Sequence, residues 1–323
     1  MFHRSVPSLL FSLAACTLLS VVPTTAASEW NGVRISPDKG KLRIEINGKF
    51  FSNYIYEDVS RPFLYPVIGP NERPVTRNWP MGFKAGEAKD HPHHRSLWYS
   101  HGEINGHDFW SESDKAGATQ HVYFKEISSG PTEGKIVSVN QLVAKDGTIV
   151  GTDTREITIH NRPNTERVLD FKITIHASHG DLVLGDTKEG SMAIRLAPTL
   201  RLKGEVGEGH IINSEGVTDD KTWGKRAKWV DYYGPIQNQT VGVAIFDHPT
   251  NPRHPTWWHV RNYGLFAANP FGVHNFERKK KGVGDFEVTE GASVSWNYRF
   301  FMHQGNTTEA GVAERYERYQ TTH

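Results

Sequence analysis

Cysteine is almost missing from this chain: Cys16 is the only one in 323 residues. It falls within the apolar N-terminal run, so the rest offers no thiol nucleophile, no thiolate metal ligand and no disulfide. A surplus of charge is missing too, with 37 Lys and Arg against 36 Asp and Glu and a net charge of +1. Without a basic excess, nucleic acid and anionic membrane surfaces are excluded as main partners. The one basic cluster, Arg278 to Lys281, precedes Gly282 and Gly284 and reads as a solvated hairpin tip. After Val22 no segment approaches the roughly 20 apolar residues of a membrane helix, so no span is expected. Gly-x-Ser-x-Gly, a phosphate loop, a dinucleotide fingerprint and His-Glu-x-x-His are all absent. Serine hydrolysis, nucleotide chemistry and zinc proteolysis therefore lack support.

What is present begins with an export signal. His3 and Arg4 form a positive end, an apolar stretch runs from Val6 to Val22, and Thr25-Ala26-Ala27 offers a small-residue cleavage site. The expectation is a signal peptide over 1–27, a periplasmic or secreted protein, and a single β-sandwich domain over 28–323. "LAAC" at Leu13 to Cys16 supports the alternative of lipoprotein anchoring through Cys16, although "TLLSVV" stays apolar beyond it.

Alternation of period two dominates the mature chain. "KLRIEINGKFF" places Leu42, Ile44 and Ile46 on one face and breaks at the turn pair Asn47-Gly48. "KIVSVNQLVAKDGTIVGTDTREITIH" repeats the design around Asp146-Gly147, and "RVLDFKITIH" alternates Leu169, Phe171, Ile173 and Ile175. "TVGVAIFDH" and "SVSWNYRFFMHQG" read as later strands; helical spacing appears only in "EAGVAERYERYQ". The reading is an all-β chain, a large antiparallel sandwich with a short C-terminal helix.

Four segments depart from alternation. "KDHPHHRSLWYSHGEINGHDFW" holds five of the 17 histidines. His91 and His93 face the same way in an extended segment and His94 the opposite way. Two same-facing imidazoles with a distant carboxylate could hold a divalent metal, or His93 or His94 could do acid–base work near neutral pH. "GDTKEGSMAIRLAP" offers Asp186 or Glu189 as partner carboxylate, against a charged loop in which Lys188 and Glu189 pair in solvent. "WGKRAKWVDYYG" interleaves Lys225 and Arg226 with Trp223 and Trp229, a pattern able to grip oxygens and cover a sugar face. "FDHPTNPRHPTWWHVRNYGLFAANPFG" carries His259, Arg261 and Trp257 among four prolines and reads as a long ordered loop that builds a site.

These blocks, with "HPHHRSLW", "HGEINGHDFW" and the closing "YRFFMHQG", make the sequence resemble a bacterial family named methane oxygenase PmoA, a domain of unknown function. That family looks related to the galactose-mutarotase-like β-supersandwich, which hosts sugar epimerases, polysaccharide lyases and glycoside-hydrolase domains. The resemblance implies the fold and brings no established catalytic residues. With no membrane span after Val22, the chain does not fit the integral membrane methane monooxygenase subunit. The expectation is an exported lyase, epimerase or hydrolase acting on a carbohydrate or small molecule. Catalysis falls to His93, His94, Glu189 and Asp186, and substrate binding to Arg95, Trp110, Trp223, Lys225, Arg226, Trp257, His259 and Arg261. The alternatives are a non-catalytic glycan-binding envelope protein and a metal-dependent oxygenase using His91 and His93.

Overall fold

The computed structural model describes residues 1–3 and 30–321. The signal peptide, its cleavage site and Cys16 lie outside the described residues. In chain order the first strands are β1 (Val33–Asp38), β2 (Lys41–Ile46), β3 (Lys49–Ile55), β4 (Phe63–Tyr65), β5 (Leu97–His101) and β6 (Ala118–Ser128). Next come β7 (Glu133–Val143), β8 (Ile149–His160), β9 (Glu166–His176), β10 (Leu182–Leu184), β11 (Gly190–Arg195) and β12 (His210–Asn213). β13 (Trp229–Ile236), β14 (Gln239–Asp247), β15 (Trp257–Val260), β16 (Leu265–Asn269) and α1 (Val273–Glu277) follow. β17 (Phe286–Val288), β18 (Ser293–Gln304) and α2 (Val312–Tyr319) complete the order.

The all-β antiparallel sandwich expected from the alternation is what forms. One eight-stranded sheet has the order β1-β2-β3-β4-β5-β11-β16-β15, and a second has the order β12-β13-β14-β18-β9-β8-β7-β6. β10 and β17 make a small separate pair. Asn47 and Gly48 both take positive φ, at 51° and 74°, which is the turn geometry that matches the twist of the β2–β3 hairpin. Leu42, Ile44 and Ile46 are buried, as are Leu169, Phe171, Ile173 and Ile175, in the shared core between the sheets. Arg155 on β8 spans that core: it donates to the Pro62 carbonyl beside β4 at 2.9 Å and pairs with Asp153 at 3.0 Å. α2 sets Val312, Tyr316 and Tyr319 on one face, against Phe246 and Phe301 on the outside of the second sheet. No helix among the described residues is long and apolar enough to cross a membrane.

One expectation needs correction. The segment from Phe246 to Gly272, read as a long loop, contains the hairpin β15–β16 at an edge of the first sheet. Trp257 to Val260 are all buried, so both strand faces are covered and the alternation that would have revealed a strand is erased.

Candidate functional site

The first sheet is covered on both faces near β5, β11, β16 and β15. Inward point Leu97, Tyr99, Met192, Ile194, Phe266 and Ala268, members of the inter-sheet core. The residues between them point outward, and register brings Phe63, Trp98, Ala193, Ala267 and His259 side by side across five strands. The two alanines leave space beside Trp98, and the polar-aromatic loops settle over this row. A cavity of about 640 Å³ results.

Its walls come from four places. The loop before β5 brings His91, His93 and His94, and the loop after it brings Gly102, Asp108, Trp110 and Ser111. The turn into β11 brings Lys188 and Glu189. β15 and the turn after it bring His259, Arg261 and Tyr263. Gly102 is required by close approach: its amide donates to the Glu189 carbonyl at 2.7 Å, and a Cβ there would stand 2.8 Å from that oxygen.

The rings form a layered stack. His94 lies on Trp98 with centroids 5.5 Å apart, His91 on His94 at 4.7 Å, and Tyr263 on His91 at 5.1 Å. Behind them is a charged anchor. Asp90 accepts from Arg77 at 2.6 Å, from Arg195 at 2.9 and 3.0 Å, and contacts the His91 Nδ1 at 2.8 Å. Burial alone would raise Asp90, but the His91 bond and the Arg195 and Arg77 charges outweigh it and hold the carboxylate well below its usual range. The buried Arg195 also reaches His94 Nδ1 at 2.9 Å. A guanidinium can only donate, so that nitrogen accepts and the proton of neutral His94 sits on Nε2. Burial, then the Arg195 charge, pushes His94 well below the ordinary imidazole value. Burial lowers His93 to about 4, helped by Arg61 and His91, and lowers His259 to about 3, helped by Lys188 and Arg261. These three pocket imidazoles are therefore neutral at pH 7.

The structure brings together His91, His93, His94, Trp110, Glu189, His259 and Arg261 from the expected set. It places the others elsewhere. Asp186 is fully buried and accepts the backbone amides of His274 and Gly284, both at 2.9 Å, so it knits loops rather than facing the cavity. Arg95 is spent on Glu112, through Nε at 3.0 Å and Nη2 at 2.7 Å. Lys225 is exposed and does not line the cavity. The Trp257 ring is covered by Arg226, 4.5 Å from its centroid, and its Nε1 donates to Glu277. Arg226 itself donates to the Pro255 carbonyl at 2.7 Å. Trp223 lies behind the lining, with Arg261 over its ring. Trp110 lines the cavity but is only 2% exposed, a floor beneath His93 and His94 rather than an open platform.

The metal expectation rests on His91 and His93. The His91 Nδ1 is engaged by Asp90, and among the described residues no three His, Cys, Asp or Glu side chains are grouped to hold an ion. The donor set does not fit a divalent metal.

Sequence reasoning missed Tyr263, Asp108, Asp90 and Arg195. Arg195 did carry a signal: an arginine within the otherwise apolar "SMAIRLAP" has to be buried with a partner.

Residues 41–317 match a family described as "Family of unknown function (DUF6807)". No curated protein matches the sequence. Similar solved structures include the heparan sulfate lyase HepC from Pedobacter heparinus, with 9% identity and a TM-score of 0.34 over 85% of this chain and 35% of that one. A Glycoside Hydrolase Family 97 enzyme from Pseudoalteromonas sp. strain K8, in complex with acarbose, has 11% identity and a TM-score of 0.35 over 84% and 34%. A GalM/aldose epimerase homologue from C. elegans has 7% identity and a TM-score of 0.30 over 86% and 100%. The chain thus spans about a third of the lyase and of the hydrolase. Identities and TM-scores this low carry no statement about what the chain acts on.

Proposed function

The chain belongs to a family of unknown function, DUF6807, and from its cavity we propose an exported enzyme that moves a proton at a carbon of a sugar or oligosaccharide. The observation that carries this reading is the convergence of His93, His94, Glu189 and His259, drawn from three separate sequence segments, in one cavity. In this reading His93, a neutral imidazole, takes the proton. His94 offers its Nε2–H to the substrate oxygen on which charge develops, in the manner of a fixed oxyanion donor. Return of the proton to the other face gives epimerisation; loss of a leaving group gives elimination.

Hydrolysis is less well served. It calls for two carboxylates flanking the scissile bond. The cavity lining holds Glu189, paired with Lys188, and Asp108, which accepts the Trp110 and Ser111 amides at 2.7 and 3.1 Å. Pure glycan binding would favour open aromatic faces, and Trp110 and Trp257 are only 2% and 6% exposed.

The test is solvent-deuterium exchange, followed by NMR, on a panel of oligosaccharides and oxidised sugars. A carbon-bound proton should exchange with the wild type, with an unsaturated or epimeric product accumulating. His93→Gln should abolish exchange while circular dichroism is unchanged. Exchange persisting in that variant would sink the assignment of the base.

A further inference from the structure

Among the described residues, every cation around the cavity but one has an acidic partner. Arg77 and Arg195 share Asp90, Arg61 and Arg95 share Glu112, and Lys188 takes Glu189. Arg261 lines the cavity and makes no ion pair among the described residues. Its field lowers Asp220, but that carboxylate is bound first by Lys203 and then by Asn262, whose side-chain amide donates to it at 2.8 Å. The Arg261 guanidinium is also held in place: it lies 5.7 Å from the Trp223 ring centroid and 5.6 Å from that of Tyr263. Two aromatic neighbours flank the group without consuming its N–H donors. An oriented, uncompensated guanidinium in a concave site is a fork for one carboxylate.

We propose that the substrate is an acidic sugar, a hexuronate unit whose carboxylate is anchored by Arg261, with Trp223 as its positioning residue. This rests on the proton-transfer reading of the same cavity and names its substrate class. The charge tally among the described residues sets the valence: a single cation without an ion pair neutralises a carboxylate and would leave a phosphate dianion half compensated. The anchor also suits the chemistry. A carboxylate beside the reacting carbon can share the charge left when that carbon loses its proton, and Arg261 binds more strongly as this charge grows.

The probes are glucuronate, galacturonate and mannuronate, each beside its neutral hexose, with glucose 6-phosphate as a dianion; binding to the full chain is measured by calorimetry. At least one uronate should bind at least about tenfold more tightly than its hexose, with a preference that weakens as salt rises. Arg261→Gln should cost about tenfold to a hundredfold for the acid and much less for the neutral sugar, while Arg261→Lys should retain part of the preference. On a turned-over substrate, Trp223→Ala should lower kcat as well as raise KM, because the anchor tightens in the transition state, and Trp223→Phe should restore both.

Equal binding of acid and neutral sugars overturns the proposal. So does a preference that survives Arg261→Gln, tighter binding of glucose 6-phosphate, or no binding of any uronate. The two readings fail separately. A uronate that binds through Arg261 without deuterium exchange removes the proton transfer and keeps the anchor. Exchange on a neutral sugar that is indifferent to Arg261→Gln does the reverse.

Discussion

At the scale of single residues, His93, His101 and His259 are tuned by burial rather than by acidic partners. His93 and His101 are lowered to about 4 and His259 to about 3, in each case first by desolvation, so the native state keeps them neutral where an unfolded chain would hold protons. Between the ordinary value of 6.5 and about 4, the unfolded state therefore binds more protons. Stability is fully present above pH 6.5 and is lost as pH falls through that window. Denaturant titrations at pH 7 and pH 4.5 should show this loss. His101→Gln, whose wild-type Nε2 donates to the Gly185 carbonyl at 2.9 Å outside the cavity, should flatten the slope. If His93 is the base, the acid limb of kcat/KM should lie near pH 4 instead of near 6.5. The His94 assignment has its own measurement: nitrogen NMR should find its Nε2 protonated and Nδ1 bare, and Arg195→Gln should mix the tautomers. The sequence pointed to His91, His93 and His94, which line the cavity, because they cluster. It could not show that Asp90 and Arg195, 105 residues apart, meet behind them.

At the scale of elements, legibility followed exposure. β2, β7, β8 and β9 keep one face wetter than the other and announce themselves by alternation. β5, β11 and β15 are buried on every residue, and these are the strands that carry the site. Their outward face is covered by the loops that wall the cavity, so the feature that makes the cavity also hides its scaffold. Asp186 misled for a related reason: a buried carboxylate serving backbone amides has the same spelling as a catalytic one. The contact between the β5 and β11 ends is backbone on backbone at Gly102, which gives a sharp expectation. Gly102→Ala should displace the Glu189 turn, lowering kcat/KM by about tenfold or more while costing about 1–3 kcal/mol of stability, the usual range for overpacking. Chemical denaturation and steady-state rates read the two effects separately.

At the scale of the whole molecule, the two sheets are held by an apolar core and by the buried Arg155, which pairs with Asp153 on its own strand and donates to the Pro62 carbonyl across the core. Arg155→Met leaves Asp153 charged, buried and without its guanidinium, and should cost about 3–5 kcal/mol; the double variant Arg155→Met with Asp153→Leu should recover part of it in thermal melts. The sequence foretold the layers through its periods and turns, but strand order depends on pairings between distant segments that no local pattern records. The position of β18 shows what that order entails. It lies between β14 and β9, pairing with Phe171 and its neighbours on one side and with Ile245 and its neighbours on the other. A chain growing from its N-terminus makes β6 to β9 and later β12 to β14 as two ladders that have no contact through a shared strand. Each carries a bare inner edge until residues 293–304 are available. β18 is thus the keystone of the second sheet, the strand through which its two ladders are joined.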